Sequence, residues 1–147
     1  MGAFHGGLTY RQYRVKEKLP AQWQRKVLTG LLNNVAQEIK PEDDEVRSIG
    51  WCNAQFALDT QITIEQCLFN EYLIIGMRVD TLSVPKGLLN MHCEREERKV
   101  KKELKKEALS RYERAEVREQ VEQRLRKRIL PSIRSSEVVW SWEAGYV

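Results

Sequence analysis

The sequence predicts an α+β protein: an antiparallel or mixed sheet packed by one amphipathic helix, with a long basic helical pair or arm. Three observations predict it. Runs of strand-forming residues with period-two alternation lie near both ends and in the middle of the chain. One 3.6-residue apolar pattern follows Pro20. Between Pro85 and Pro131 the spacing is helical with few breakers.

Taken in order, the segment 7–15 (GLTYRQYRV) is rich in strand formers and is expected to form a strand over about 8–15. Pro20 then sits where a first helical residue is favoured. Trp23, Val27, Leu28, Leu31, Leu32 and Val35 fall on one face of a helix expected over 21–39, before Pro41. The acidic cluster Glu42-Asp43-Asp44-Glu45 reads as a solvated loop. Arg47–Cys52 (RSIGWC) is a short strand, and 60–65 a second short piece. The clearest strand is 72–80. In it Leu73, Ile75, Met77 and Val79 face one way and Tyr72, Ile74, Gly76 and Arg78 the other, with Asn70-Glu71 as a turn or bulge before it.

Ser83-Val84-Pro85 marks a helix start. Ser110-Arg111-Tyr112-Glu113 is a capping box inside the helical stretch, so two helices are expected, about 85–108 and 111–130. Val138, Trp140 and Trp142 alternate with Val139, Ser141 and Glu143, giving a last strand at 137–144. The chain thus reads as a single domain, 1–147, with three segments: sheet and helix over residues 1–84, a basic helical arm over 85–130 and a C-terminal strand within 131–147.

The chain has 147 residues, 41% of them apolar and 31% charged. The apolar share supports a real core. No apolar run approaches the ~18 residues of a membrane helix, and the opening MGAFHGGLTY lacks the basic start and apolar stretch of a secretory signal. Cys52, Cys67 and Cys93 are odd in number and widely spaced, which argues against a disulfide framework and for a reducing cytoplasm. With only His5 and His92 available, His92-Cys93 does not make a tetrahedral zinc site; Cys93 is expected to pack on a helix. No cofactor or metal is therefore expected.

The net charge is +4, and it belongs to one segment: Glu94 to Arg128 holds fourteen Lys/Arg and nine Asp/Glu. At about 100° per residue with Val100 at zero, Leu104 and Ala108 fall at roughly 40° and 80°. Arg95, Arg98, Lys99, Lys101, Lys102, Lys105 and Lys106 fall between roughly 100° and 260°. Glu96, Glu103 and Glu107 gather near 300–340°, and Glu97 near 60°. The signs are sorted instead of interleaved, which forgoes i,i+4 pairs and suits a polyanion. In the second helix Arg111, Arg114 and Arg118 lie among glutamates, while Val117, Val121, Leu125 and Ile129 make a stripe able to meet a neighbouring helix or subunit. The competing reading is a solvated charged face on a helical protein-interaction module.

There is no GxxxxGK[ST], GxGxxG, HExxH or GxSxG, so enzyme activity and a small-molecule substrate are not expected. A nuclease would need converging carboxylates, with Asp59, Glu65, Glu71 and Asp80 the nearest candidates. Asp80 follows Arg78 by two on the same strand face, and a structural ion pair is the better assignment.

Several short pieces, in order, carry a family resemblance: Gly50-Trp51; Arg78-Val79-Asp80 running into Val84-Pro85 and Leu88-Leu89; Lys101-Lys102 and Lys105-Lys106; Leu109-Ser110; Leu130-Pro131; and Val139-Trp140. Their order and spacing resemble the recombination-associated RdgC proteins of proteobacteria. The resemblance implies sequence-independent binding of double-stranded DNA, a ring-shaped homodimer with a positively charged hole, a nucleoid-associated location, and opposition to a RecA recombinase filament. It would place Arg95, Arg98, Lys99, Lys101, Lys102, Lys105, Lys106, Arg111, Arg114 and Arg118 along the DNA. Family members continue past the strand beginning at Val138, so a shortened C-terminus is expected here, and ring closure does not carry over.

Overall fold

A computed structural model describes residues 9–40 and 45–147. Its elements are α1 (Trp23–Leu32), β1 (Arg47–Cys52), α2 (Ile64–Cys67), β2 (Leu68–Phe69), β3 (Tyr72–Thr81), α3 (Lys86–Glu103), α4 (Arg111–Arg126) and β4 (Ser132–Ser141). The four strands form an antiparallel sheet in which β3 pairs with β1, β2 and β4, an α+β arrangement. The chain divides into two compact units. The first holds α1, β1, α2, β2 and nearly all of β3 and β4; the second holds residues 39–46 and 81–132.

In the first unit β2 and β3 form a hairpin, with Leu68 opposite Leu73 and Phe69 opposite Tyr72. Asn70 turns it in the left-handed region at φ 53°, a conformation asparagine tolerates better than most residues. Leu73 and Ile75 of β3 are buried with Leu31, Ile62 and Cys67. Trp23 of α1 packs edge-on against Trp140 of β4 (ring centroids 5.2 Å apart) and tilted against Trp142 (5.0 Å). These rings close the core over α1.

Halfway along β3 the buried positions change face. Beyond Gly76 the most buried residues are Arg78 and Asp80, at 3% and 2% exposure, while Met77 and Val79 are half-buried. The loop after β1 covers that face. Asn53 Oδ1 accepts from Gln55 N (2.9 Å) and Phe56 N (3.3 Å), and Asn53 N donates to Asp59 O (2.8 Å), so the loop folds back on itself. A Cβ at Gly76 would lie 2.7 Å from Cys52 Sγ and 2.8 Å from Asn53 O, which is why glycine is required there. Beneath the loop Arg78 Nε and Nη2 donate to Asp80 Oδ1 (2.7 Å) and Oδ2 (2.5 Å), the ion pair expected from the sequence. This fork raises the proton affinity of the Arg78 guanidinium.

Four expectations require correction. The 8–15 strand is absent over the described residues 9–15. What forms instead is a short bridge, Arg14 beside Tyr146, in which Tyr13 N donates to Val147 O (2.7 Å) and Val15 N to Gly145 O (2.9 Å), and Tyr10 and Tyr13 stay exposed. Residues 7 and 8 lie outside the described residues, as does most of the acidic loop (42–44). The helix expected to reach residue 39 stops at Leu32. Residues 34–36 instead run beside β1, with Ala36 N donating to Trp51 O and Trp51 N to Asn34 O, each at 2.8 Å. Gly50 makes room, since a Cβ there would collide with the Ala36 backbone. The piece at 60–65 is not a strand but leads into the single turn α2. Thr63 N donates to Gln66 Oε1 at 3.2 Å, half of a capping box that the sequence spells. The last strand spans 132–141, not 137–144: its first half is exposed and polar, so no alternation marks it, and pairing with β3 forms it. Trp142 to Gly145 form a turn.

In the second unit α3 and α4 make a helical hairpin. Leu89 and Cys93 of α3 are buried against Val117, Val121 and Leu125 of α4, with Val84, Leu88 and Val100 packed around them. Val117, Val121 and Leu125 of the expected stripe thus meet α3, whereas α4 ends at Arg126, not at 130, and leaves Ile129 beyond the helix and outside this cluster. At its base Leu82 N donates to Val46 O (2.9 Å) and Arg126 Nη2 to Glu45 O (3.3 Å). Among the described residues no helix is long and apolar enough to cross a membrane.

Candidate nucleic-acid interface

The hairpin is built by two end signals. At the start of α4, Glu113 N donates to Ser110 Oγ (3.2 Å) and Ser110 N donates to Glu113 Oε2 (2.7 Å), the complete capping box. At the end of α3, Lys105 takes a left-handed φ of 52°. Lys106 N donates to Lys101 O (3.0 Å) and Lys105 N to Lys102 O (3.3 Å). That is a Schellman motif with lysine where glycine is usual. The absence of glycine is why the sequence suggested a helix to 108. Burial of Leu109, at 5% exposure, accompanies the change of direction.

This early stop corrects the angular reading. The apolar stripe of α3 ends at Val100; Leu104 is 49% exposed and Ala108 is exposed in the connection. Lys105 and Lys106 leave the helical face, so five cations remain on it: Arg95, Arg98, Lys99, Lys101 and Lys102. Taking the line of buried Leu89 and Cys93 and half-buried Val100 as the inward direction, Arg98, Lys102 and Arg95 lie roughly 140–200° from it, and all three are exposed. Met91, also exposed, and Glu94 share this outward side. Lys101 lies at the flank and is half-buried.

Other predicted residues have partners. Lys99 Nζ lies 3.2 Å from Glu96 Oε2, and Arg124 Nη1 lies 3.6 Å from the same oxygen. The hydrogen bond from Lys99, then the charges of Lys99 and Arg124, hold the Glu96 carboxyl below its ordinary value. Lys106 Nζ lies 2.5 Å from Glu113 Oε1. Arg118 Nη1 donates to Asn90 Oδ1 at 3.4 Å. Arg111 and Arg114 are on the first turn of α4, beside the exposed Tyr112.

The structure also brings His92, Arg124 and Arg128, which the sequence did not single out for the interface, together with Arg95 and Lys99, which it did. His92, Arg95 and Lys99 of α3 face Arg124 and Arg128 across a cleft of about 160 Å³, with Glu96 among them. The i,i+4 step from Arg124 to Arg128 was visible in the sequence; its meeting with Glu96 was not.

Of the rival acids, Glu71 and Asp80 do not converge. Glu71 directly precedes β3 and Asp80 lies near its far end, roughly 30 Å away at 3.3 Å per residue, and Asp80 is spent on Arg78. Among the described residues no three His, Cys, Asp or Glu side chains are grouped as a metal site requires. Burial pushes the Cys52, Cys67 and Cys93 thiols up, so they stay protonated at neutral pH and pack as small apolar groups.

Fold and site together define an α+β protein bearing a charged helical hairpin whose outward face is cationic. No family model matches the chain, and no curated protein is significantly similar to it.

Proposed function

We propose that the protein binds duplex DNA without sequence choice, through phosphate contacts from the α3–α4 hairpin. The observation that carries this reading is the exposed row Arg95, Arg98 and Lys102, which makes no ion pair among the described residues. Like charges aligned on one helix face repel one another, and a row of phosphates removes that repulsion while releasing condensed counterions. Such contacts position a protein on DNA and carry no sequence information. The resemblance to the RdgC proteins supplies the rest of the proposal: a cytoplasmic, nucleoid-associated homodimer that restrains a RecA filament.

An electrophoretic shift titration across ionic strength, with single- and double-stranded DNA of several sequences, tests the reading. Three neutralised phosphates give a slope of about −2.7 in log K against log salt, or roughly 40-fold weaker binding at 200 mM than at 50 mM. Binding that hardly responds to salt points instead to apolar docking of a protein partner. A clear preference for single strands overturns the duplex assignment.

A further inference from the structure

We propose that the cleft between α3 and α4 is a phosphate seat, and that Glu96 occupies it as an internal stand-in until a phosphate displaces it. The proposal deepens the DNA-binding reading and rests on it for the source of the phosphate, though the seat itself is tested separately.

The cleft is lined by four cationic side chains, Arg95, Lys99, Arg124 and Arg128, by the single carboxylate of Glu96, and by His92. One carboxylate does not satisfy them. Only Lys99 reaches Glu96 within hydrogen-bond distance, at 3.2 Å; Arg124 stops at 3.6 Å, an ion pair without a hydrogen bond. Arg95 and Arg128 make no ion pair among the described residues. Lys99 and Arg124 are half-exposed, at 50% and 51%, so both can swing toward an incoming anion, while Glu96 sits deeper at 23%. The space of about 160 Å³ equals about five water volumes, enough for a phosphate group. A phosphate presents more oxygens than a carboxylate and matches the guanidinium fork. Of the outward row only Arg95 lines this cleft, and Arg98 and Lys102 do not, so the seat adjoins the face described above and adds a contact through Lys99, Arg124 and Arg128.

Inorganic pyrophosphate titrated into the intact chain, followed by NMR of the Arg and Lys side chains, is the probe. Saturable shifts at Lys99 and Arg124 are expected. Affinity rises about two- to fivefold in Glu96→Gln, from which one competing charge is gone, and falls in Arg128→Gln, an exposed position whose loss leaves the fold intact. No binding at these side chains, or no gain in Glu96→Gln with the hairpin still helical by circular dichroism, overturns the seat. Duplex DNA distinguishes the source. If Glu96→Gln also steepens the DNA salt slope by about 0.9, the seat takes a backbone phosphate. If pyrophosphate responds and DNA does not, it takes a free phosphate-bearing ligand. If wild-type protein fails to bind DNA at all, the functional reading falls while the pyrophosphate result still decides the seat.

Discussion

Lys106 Nζ sits 2.5 Å from Glu113 Oε1, while Glu113 Oε2 accepts the backbone N–H of Ser110 at 2.7 Å. One carboxylate thus caps α4 and ties down the connection from α3. A cation that the sequence assigned to DNA is engaged at home.

A pH dependence follows from this pairing. The Lys106 hydrogen bond, then those from Ser110, hold the Glu113 carboxyl down to about 2 from an ordinary value of 4.5. The folded value is depressed, so the stabilisation is full above about pH 4.5 and is lost as pH falls toward 2. The gap in thermal stability between wild type and Glu113→Gln should be constant from pH 7 to 5 and shrink below 4.5. A gap independent of pH defeats the assignment. Ser110→Ala, which loses the cap from the other side, should cost about 1 kcal/mol at neutral pH.

Lys105 is predicted to act through its backbone more than its charge. A left-handed non-glycine residue costs roughly 1–2 kcal/mol. Lys105→Gly should therefore hold or raise the melting temperature, whereas Lys105→Ile should lower it, since a β-branched side chain is worst at positive φ. Equal effects of the two substitutions in thermal melts would refute the Schellman stop.

The outward row separates binding from folding. Arg95→Glu, Arg98→Glu and Lys102→Glu together should abolish the DNA shift at about 100 mM salt and leave the far-ultraviolet spectrum unchanged, because the three side chains are exposed. Lys106→Gln should weaken binding far less. If the triple variant binds as wild type does, the face is not the interface.

The buried Arg78–Asp80 fork is a structural element with a sharp signature. Arg78→Met strands the Asp80 carboxylate under the 53–59 loop and should cost about 3–5 kcal/mol. Arg78→Met combined with Asp80→Leu should recover much of that loss, as uncharged pairs of similar volume often do. A double-mutant cycle in urea measures it, and additive losses would contradict the pairing.

What the sequence determined by itself is local. Residues near in the chain dictated β1 and β3, the Arg78–Asp80 pair, the Ser110–Glu113 box and the bias of cations along α3, because each depends on spacing within one element. The tertiary structure decided what depends on remote partners. Backbone bonds to Trp51 pulled residues 34–36 out of α1. Pairing with β3 made a strand of the polar stretch from Ser132. The carboxylate of Glu113, on α4, engaged Lys106 of the connection. Arg124, from the second helix, met Glu96 of the first. Periodicity records which side of an element is apolar; it does not record which charge on another element lies opposite.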